Sequence, residues 1–399
     1  MKVSIVITGT EFTYGIKEEK NSRYIARKCL ERGLDVNGIG IVGDDLYNIQ
    51  YYLKMALDKS DIVILSGGLG ATTDDKSREA ISEAIGVPLI YHKEWLEKLK
   101  KYYREQGREI TDELKSMAKI PYGAVIIENP VGRAAGFIKV LEDVNKVIIA
   151  LPGVPSEMKP MLDIAFSKLG LKEDKRKILI IRTFGLTETE IDKTLKDIYI
   201  NDYTLNSSPK GVDIFITENM KENLKLKENL LKKALGKYIY AFGDTEMEEV
   251  VGKLLKENNL KISTAESSTG GLIASRIINV PGSSRYMEGG IIAYSNEMKE
   301  KILNVKRETL KKFGAVSEET AKEMVLGVQK LFSTDIAVSD TGIAGPTGET
   351  QTKPLGLHYI GFYDRGNLEI HKVIYKNERN NTRLFISQYA LNLVRLALL

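Results

Sequence analysis

A serine and a lysine in the last third of the sequence are the residues best suited to nucleophilic chemistry. Ser267 lies in the polar run T-A-E-S-S-T-G-G, and Lys299 ends the run G-G-I-I-A-Y-S-N-E-M-K. A lysine with a neutral amine can take the proton from a neighbouring serine and so activate it without histidine. The two residues therefore predict catalysis by a hydroxyl group, provided that the fold brings their side chains together.

The run that contains the serine has the pattern of a strand, a turn and a helix. Leu260–Ser263 is β-like, and Leu272–Ile278 has apolar residues at helical spacing. We therefore predict a polar turn between them and a helix that begins near Thr269. At such a junction the first N–H groups of the helix have no partner within it, and the helix dipole is positive there.

Two glycines in this turn leave its backbone accessible. Gly270 and Gly271 have no side chain to block a ligand anion or a developing oxyanion from the N–H groups. The alternative is that Ser268 or Thr269 only caps the helix, since both residue types are common caps.

The lysine is predicted to lie at the start of another helix. Ile291–Ala293 is strand-like, and Ser295 or Asn296 is a suitable cap for a helix that runs to Leu303. Lys299 would then lie in the first turn, where the positive end of the dipole and burial both lower the pKa of an amine. The alternative is an ordinary surface lysine.

A third motif also follows a predicted strand. The run Asp335–Gly348 passes from apolar residues into a Gly/Pro loop, in which Thr341, Gly342 and Ala344 can offer a hydroxyl and backbone donors. It could also be a simple connection to the strand Leu357–Phe362. Three such turns at strand ends in one domain point to a single site.

A glycine-rich loop near the N-terminus has a different chemistry. Ser66–Asp75 follows a predicted strand and precedes the predicted helix Lys76–Ile85. Its glycines allow backbone N–H groups to surround a phosphate, and Asp74 and Asp75 are suitable ligands for a hard cation such as Mg²⁺. The alternative is a tight turn whose aspartates favour the helix N-terminus.

The elements around these motifs predict an α/β protein. Strands and helices alternate in the first segment, which implies a parallel sheet covered by helices on both faces. Ligands of such sheets bind beyond the carboxyl ends of the strands. From Lys172 the pattern becomes a small α+β module. The predicted elements are the strands Lys2–Ile7, Val36–Val42, Asp61–Ser66, Arg176–Ile181, Val212–Thr217 and Lys237–Phe242, and the helices Ser22–Glu31, Asp44–Leu57, Glu188–Ile198, Leu224–Leu235 and Glu246–Asn258.

Composition narrows the class of protein. The 399 residues carry a net charge of +4, which is close to balance and does not indicate a nucleic-acid binder. No apolar run reaches membrane-spanning length and no signal peptide is recognisable, so we expect a cytoplasmic protein. The single cysteine excludes an internal disulfide, and the three histidines are scattered, so any metal must be held by carboxylates.

The N-terminal third resembles the competence/damage-inducible CinA proteins. The resemblance rests on G-T-E at Gly9, V-G-D-D at Val42, G-G-L-G at Gly67, N-P-V-G at Asn129 and L-P-G-V-P-S-E-M at Leu151. It implies the fold of molybdopterin-binding proteins and a divalent-metal-dependent ADP-ribose pyrophosphatase. The implied phosphate loop contains Gly67, Gly68, Gly70 and Thr73, and the implied metal ligands are Glu11, Asp44, Asp74 and Asp75. Departures from the family pattern at Ile16, Glu19, Ala71, Met117 and Ala135 remove amide and proline side chains, which could weaken substrate binding there.

The C-terminal segment resembles the nicotinamide mononucleotide deamidase domain of the same family. The similarity covers Leu260–Leu399 and includes T-A-E-S-x-T-G-G, Y-S-N-E-x-K, G-A-V-S, T-G-I-A-G-P and K-P-x-G in order. It implies Ser267 as the nucleophile, Lys299 as its base and Tyr294 as a supporting hydroxyl, with no cofactor. The implied substrate-binding residues are Glu266, Thr269, Gly270, Gly271, Thr341, Gly342, Ala344, Gly345 and Arg379 or Arg383, with the arginines placed to bind the 5′-phosphate. Glu349 stands where the family usually has glycine.

The middle segment corresponds to the KH-like domain of the family. It lacks a clear Gly-x-x-Gly clamp, and lysine alternates with glutamate along Leu224–Leu235, so we expect a solvated face and a packing role rather than RNA binding. The predicted domains are residues 1–168, 172–243 and 244–399. Family likeness also implies a homodimer, for which the apolar final helix Leu384–Leu399 is a suitable interface.

Three functions remain open at this point. The first is deamidation of nicotinamide mononucleotide. The second is that the N-terminal pyrophosphatase supplies the main activity. The third is a nucleotide-binding regulatory protein without catalysis.

Overall fold

The computed structural model describes residues 1–172, 177–218 and 221–399, which form two compact units, residues 1–176 and 177–399. The first unit contains eight strands and seven helices in its described part. The strands are β1 (Lys2–Thr8), β2 (Asp35–Val42), β3 (Ile62–Ser66), β4 (Leu89–Tyr91), β5 (Lys119–Pro121), β6 (Val125–Ile127), β7 (Gly136–Leu141) and β8 (Lys146–Leu151). The helices are α1 (Thr10–Thr13), α2 (Asn21–Leu30), α3 (Leu46–Lys59), α4 (Ser77–Ala84), α5 (Lys93–Glu105), α6 (Asp112–Ser116) and α7 (Pro155–Lys168).

A six-stranded sheet is the centre of the first unit. Its order is β2-β1-β3-β8-β7-β6. The strands from β2 to β8 pair in parallel, whereas β7 pairs antiparallel with both β8 and β6. Six of the seven residues of β1 and all five of β3 are buried, as expected for strands covered by helices on both faces. The predicted α/β fold class is confirmed here.

The second unit begins with an antiparallel sheet that has a small core of its own. Its strands lie in the order β10-β11-β9-β12, and its core includes Ile181, Ile191, Leu195, Ile214 and Leu231. The predicted strand start at Arg176 lies outside the described residues. The elements are β9 (Lys177–Thr183), α8 (Glu188–Asp197), β10 (Thr204–Ser208), β11 (Gly211–Glu218), α9 (Lys221–Leu235) and β12 (Ile239–Phe242). Strand β10 was not predicted.

The rest of the second unit is a five-stranded sheet with helices on both faces. Its order is β14-β13-β15-β16-β17. The first three strands pair in parallel, whereas β16 pairs antiparallel with both β15 and β17. The strands are β13 (Ile262–Glu266), β14 (Met287–Ile292), β15 (Ile336–Gly342), β16 (Leu357–Asp364) and β17 (Asn367–Ile374). The helices are α10 (Met247–Glu257), α11 (Leu272–Ile278), α12 (Asn296–Leu303), α13 (Arg307–Phe313), α14 (Glu318–Phe332) and α15 (Arg379–Ala397).

The apolar face of the final helix is covered within the chain. Ile386, Ala390, Leu391 and Val394 of α15 are fully buried in the core shared with α10, α11 and β16. This face therefore gives no support to the predicted homodimer, which stays a prediction. None of the helices in the described ranges is long and apolar enough to span a membrane.

Candidate active site

The serine loop connects the end of β13 with the start of α11, but its bounds differ from those predicted. The strand continues to Glu266, beyond the predicted end at Ser263, because it pairs with β14 as far as Ile292. The helix begins at Leu272 and not near Thr269, since Gly271 precedes it in a left-handed conformation with φ of 90°. The loop is thus Ser267–Gly271, at the carboxyl end of a central strand.

Lys299 and Ser267 are in direct contact. The Lys299 Nζ donates a hydrogen bond to Ser267 Oγ at 2.9 Å. It also donates to the carbonyl oxygens of Ala293 at 2.7 Å and Tyr294 at 3.3 Å. Lys299 lies in the first turn of α12, whose cap Ser295 accepts a hydrogen bond from Met298 N. The side chains predicted to form a pair are therefore joined.

Burial sets the protonation of this lysine. Lys299 is 1% exposed, which excludes the alternative of a surface lysine. Burial lowers its pKa to about 8, and the negative charge of Asp340 opposes that change. A substantial neutral fraction is therefore present in mildly alkaline solution, and the neutral amine is the form that can accept the proton of Ser267.

Two N–H groups in the first turn of α11 are bound by Glu266. The carboxylate of Glu266 accepts hydrogen bonds from Ile273 N at 3.0 Å and Ala274 N at 2.8 Å, so it caps α11 from the end of β13. A ligand therefore does not meet the N–H groups of Ile273 and Ala274, and the prediction of an oxyanion site stays a prediction for the N–H groups of Gly270 and Gly271. Burial and the neighbouring Asp340 raise the pKa of Glu266.

A second carboxylate, Asp340, binds the amides of the serine loop. It is fully buried and accepts hydrogen bonds from Ser267 N at 3.1 Å, Ser268 N at 2.9 Å and Thr269 N at 3.2 Å. The hydroxyls of Ser268 and Thr269 also contact this carboxylate. The sequence analysis gave Asp340 no role; a charged residue inside the buried run I-A-V-S-D-T-G was the signal that could have found it.

Two glycines of the loop retain available N–H groups. In the part of the chain that the structure describes, neither Gly270 N nor Gly271 N donates to a protein acceptor. A side chain at Gly271 is disfavoured, because the residue has a φ of 90° and a Cβ would lie 2.8 Å from Ile292 Cδ1, which would have to move. These two N–H groups are therefore the loop donors that can meet a ligand or an oxyanion.

The third motif lies beside the serine loop, but its hydroxyl is occupied. Thr341 is buried, and its Oγ1 donates to Ala315 O at 2.7 Å. Its proton is therefore bound within the protein, and the prediction that this hydroxyl meets a ligand stays a prediction. Gly342 lies against the buried ring of His358, where a Cβ would come within 2.0 Å of the ring. Burial lowers the pKa of this histidine.

Two arginines of α15 reach the loops around the serine. Arg379 donates to Gly345 O at 2.7 Å and to the Tyr294 hydroxyl at 3.3 Å. Arg383 donates to Thr269 O through its Nη2 at 2.7 Å and its Nε at 3.2 Å. Of the other predicted residues, Ala344 and Gly345 are buried and the Tyr294 side chain is 66% exposed. The last helix thus places one positive charge on the serine loop, that of Arg383, and a second on the neighbouring Gly345 loop, that of Arg379.

The first unit contains a separate cavity of about 720 Å³. Seven of the predicted residues line it, namely Gly67, Gly68, Gly70, Glu11, Asp44, Asp74 and Asp75. Thr73 is exposed and is not among the residues that line the cavity. The backbone N–H of Thr72 donates to Asp75 Oδ2 at 2.9 Å, and this closed turn leaves Thr73 at the surface.

A buried arginine that the sequence analysis did not identify binds the backbone of the glycine loop in this cavity. Arg78 is 2% exposed and donates to the carbonyl oxygens of Gly70 at 3.1 Å and of Leu69. Burial lowers its pKa to about 10. Binding these carbonyls fixes the peptide planes of the loop, which orients the amide groups of the phosphate-loop candidate.

The carboxylates of this cavity are not gathered into a ready metal site. Across residues 1–172, 177–218 and 221–399, no group of three or more His, Cys, Asp or Glu side chains is placed to hold a metal ion. Asp44 accepts from Thr10 N at 2.7 Å, and Glu11 is 3.8 Å from Lys17. A hard cation often binds through one or two carboxylates together with substrate phosphates, and this donor set is compatible with such shared binding.

All five departures from the family pattern also have a place in the structure, and Ala71 packs against the core of the first unit. Met117 lines the cavity, whereas Ile16 is 76% exposed. Glu19 accepts hydrogen bonds from Ser22 N at 2.9 Å and from Asn21 N, so its carboxylate serves the start of α2. Ala135 is part of the core.

Comparisons with known proteins cover the whole chain. The profile of the CinA C-terminal domain matches residues 244–398, and that of the "Probable molybdopterin binding domain" matches residues 4–170. A CinA-like protein of Sulfurihydrogenibium sp. (strain YO3AOP1) is 57% identical over 399 residues, which is 100% of this chain and 99% of that protein. A CinA-like protein of Kosmotoga olearia is 40% identical, with 100% and 99% covered. The crystal structure of the competence/damage inducible protein CihA from Agrobacterium tumefaciens is 38% identical, with 38% of this chain and 93% of that chain covered and a TM-score of 0.37.

Proposed function

This chain belongs to the CinA family, and on that premise we propose that its C-terminal domain hydrolyses the carboxamide of nicotinamide mononucleotide to nicotinate mononucleotide and ammonia. The observation that carries the proposal is the 2.9 Å hydrogen bond between Lys299 Nζ and Ser267 Oγ. A buried amine with a pKa of about 8 next to a hydroxyl at a strand end is suited to nucleophilic acyl transfer.

The first half of the reaction forms an ester. Ser267 Oγ attacks the carboxamide carbon while the neutral Lys299 amine takes the hydroxyl proton. The resulting ammonium donates that proton to the departing nitrogen when the carbon–nitrogen bond breaks, so ammonia leaves and Lys299 is neutral again. The nicotinoyl group remains bound to Ser267 as an ester.

The second half releases the acid. Lys299 takes a proton from a water molecule, whose oxygen attacks the ester carbon. The bond to Ser267 Oγ breaks, and the ammonium returns the proton to that oxygen. Nicotinate mononucleotide leaves, and Ser267 and Lys299 return to their starting protonation states.

The surrounding groups are suited to the charges that develop. The N–H groups of Gly270 and Gly271 are free to stabilise the oxyanion of both tetrahedral intermediates, which is where preorganised donors contribute most to the rate. The guanidinium group of Arg383 contacts this loop and that of Arg379 contacts Gly345 O and the Tyr294 hydroxyl, and such groups bind phosphates in a bidentate manner. We assign them to the 5′-phosphate.

The activity is tested by incubating the full chain with nicotinamide mononucleotide and measuring ammonia and nicotinate mononucleotide together. We expect the two products in equal amounts, and we expect the rate to persist in EDTA. Release of free nicotinamide instead would mean that the glycosidic bond is cleaved. Absence of both products over hours would contradict the proposal and favour a nucleotide-binding regulator.

A second activity is proposed for the first unit. The cavity there combines a glycine loop with five carboxylates, the four predicted ones and that of Glu157, which suits a pyrophosphate such as that of ADP-ribose when a cation is bound with it. A divalent cation bound with the substrate would neutralise phosphate charge, and Arg78 would hold the loop that contacts it. We expect the full chain to release AMP and ribose 5-phosphate from ADP-ribose with Mg²⁺ but not with EDTA. A lack of cleavage with Mg²⁺, Mn²⁺ and Co²⁺ alike would remove this activity.

A further inference from the structure

Asp340 is a buried carboxylate in direct contact with the main chain of the serine loop. Three consecutive amides, those of Ser267, Ser268 and Thr269, donate to its two oxygens at 3.1, 2.9 and 3.2 Å. The hydroxyls of Ser268 and Thr269 contact the same carboxylate. One side chain thus accounts for every N–H group of the first three loop residues, the nucleophile included.

The strand register explains why this carboxylate reaches the loop. Strands β13 and β15 are parallel and pair from Ile262 with Ile336 to Ala265 with Ser339. The next residue of β13 is Glu266 and the next of β15 is Asp340, so the serine loop leaves β13 beside Asp340. The conformation of the loop therefore depends on an anion supplied by the neighbouring strand.

Asp340 also carries the negative charge that acts on the catalytic lysine. Burial lowers the pKa of Lys299, and the charge of Asp340 raises it. The other titratable groups around this carboxylate are Glu266 on β13 and His358 on β16, and the charge of Asp340 raises the pKa of each. Asp340 is thus placed to influence both the position of the nucleophile and the protonation of its base.

We propose that Asp340 is a positioning residue of this active site, which holds the main chain of the serine loop through the amides of Ser267, Ser268 and Thr269. The inference rests on the proposed deamidation for its kinetic consequences. Asp340 does not need to contact the substrate for this role, because it acts through Ser267 and Lys299.

The test compares two aspartates at opposite ends of the same strand. Asp335 precedes β15, and its Oδ2 accepts a hydrogen bond from Lys261 N at 2.8 Å, so Asp335→Asn makes the same chemical change away from the serine loop. In Asp340→Asn, one carboxylate oxygen becomes an NH2 group, which cannot accept a hydrogen bond from the N–H groups of the loop. Because this displaces the nucleophile, kcat/KM for nicotinamide mononucleotide should fall by about 100-fold. Asp335→Asn should stay within about twofold of wild type, as expected for a change outside the site.

The pH profile separates positioning from a general loss of structure. Loss of the negative charge disfavours the ammonium form of Lys299, so the acid limb of kcat/KM should move to lower pH in Asp340→Asn. Asp340→Glu keeps the charge but moves the carboxylate, so it should lower kcat/KM and leave the acid limb in place. If Asp340→Asn does not fold, kcat/KM of Asp340→Glu still tests the positioning role. Wild-type kcat/KM in Asp340→Glu, or an unchanged acid limb and rate in Asp340→Asn, would overturn the inference.

A titration of Lys299 distinguishes failure of this inference from failure of the proposed function. With lysine labelled by ¹³C at Cε, the Lys299 signal is identified by its absence in Lys299→Met, and its pKa is measured by NMR without substrate. The pKa should be lower in Asp340→Asn than in wild type and unchanged in Asp335→Asn. If wild type releases no ammonia, the deamidation is wrong while this titration still tests Asp340. An equal pKa in all three proteins would contradict the role of Asp340 in either case.

Discussion

Glu266 and Asp340 occupy adjacent strand ends and divide the backbone donors of the active-site junction between them. Glu266 accepts the first free amides of α11, whereas Asp340 accepts those of the serine loop. A helix start that would otherwise attract an anion is thereby neutralised inside the protein. The oxyanion donors are consequently reduced to the two glycines between these capped segments.

Substitution of Lys299 should remove the activity and change how it depends on pH. In wild type, kcat/KM should rise with pH up to about 8 and then level off, because burial lowers the pKa of the amine to about 8 and the neutral amine is the base. Lys299→Met should lower kcat by about 100-fold or more, the usual contribution of a positioned base. The exposed Lys253→Met on α10 is the control. A wild-type pH profile in Lys299→Met would contradict the assignment.

The same substitution should stabilise the fold. The pKa of Lys299 is depressed in the folded state, so the cost of burying its charge is fully present below pH 8. It is lost as the pH rises towards 10.5, the ordinary value of lysine. Lys299→Met should therefore raise the free energy of unfolding at pH 7 by up to about 3 kcal/mol. Urea unfolding of both proteins at pH 7 and pH 10 measures this, and a gain that does not shrink at pH 10 would oppose it.

The cap provided by Glu266 should be visible in stability. Glu266→Ala leaves two amides at the start of α11 without an acceptor, and we expect a loss of about 1–2 kcal/mol in the free energy of unfolding. Glu257→Ala, on an exposed ion pair of α10, should change it by less than about 0.5 kcal/mol. Equal effects of the two substitutions in urea unfolding would argue against the cap.

Prediction from sequence succeeded where the evidence was local. The position of Ser267 at a strand end and of Lys299 in the first turn of the helix after the next strand follow from short motifs, and a parallel sheet gathers such strand ends at one edge. The comparisons confirm the two predicted domain families, the molybdopterin-binding-like N-terminal domain and the CinA C-terminal domain.

Prediction failed where distant residues decide the outcome. Asp340 reaches the serine loop because two strands with a long connection between them pair in a particular register. The partner of the Thr341 hydroxyl proton, Ala315 O, also belongs to another turn, so the loop sequence alone did not reveal this hydrogen bond. The start of α11 was predicted near Thr269 from the apolar spacing of Leu272–Ile278, whereas Gly271 precedes the helix in a left-handed conformation and a glutamate on the preceding strand supplies the acceptor for its first amides.

The role of Arg383 is tested by removing the phosphate as well as the arginine. Arg383→Met should raise KM for nicotinamide mononucleotide by about 10-fold or more, since a hydrogen bond to a charged group contributes about 1.5–3 kcal/mol. The same variant should not change the low rate on nicotinamide riboside, which has no phosphate. Arg307→Met, at an exposed ion pair, is the matched control. A similar loss on both substrates would mean that Arg383 supports the loop through Thr269 instead.

Arg78 offers a test that is confined to the first unit. Arg78→Met leaves the buried carbonyls of Leu69 and Gly70 without their donor, so cleavage of ADP-ribose should fall by about 100-fold as the glycine loop loses its geometry. Ammonia release from nicotinamide mononucleotide by the same protein should remain near wild type. Retention of full ADP-ribose cleavage would show that the loop does not need this arginine.

The central claim is that the hydroxyl of Ser267, activated by Lys299, attacks the substrate. The most direct measurement is the rate of ammonia release from nicotinamide mononucleotide by Ser267→Ala, with the exposed Ser275→Ala on α11 as the matched control and thermal unfolding as the check on the fold. We predict a loss of at least about 1,000-fold in Ser267→Ala, in line with removal of a catalytic nucleophile, and an unchanged rate in Ser275→Ala. A folded Ser267→Ala protein that keeps most of its turnover would contradict the account.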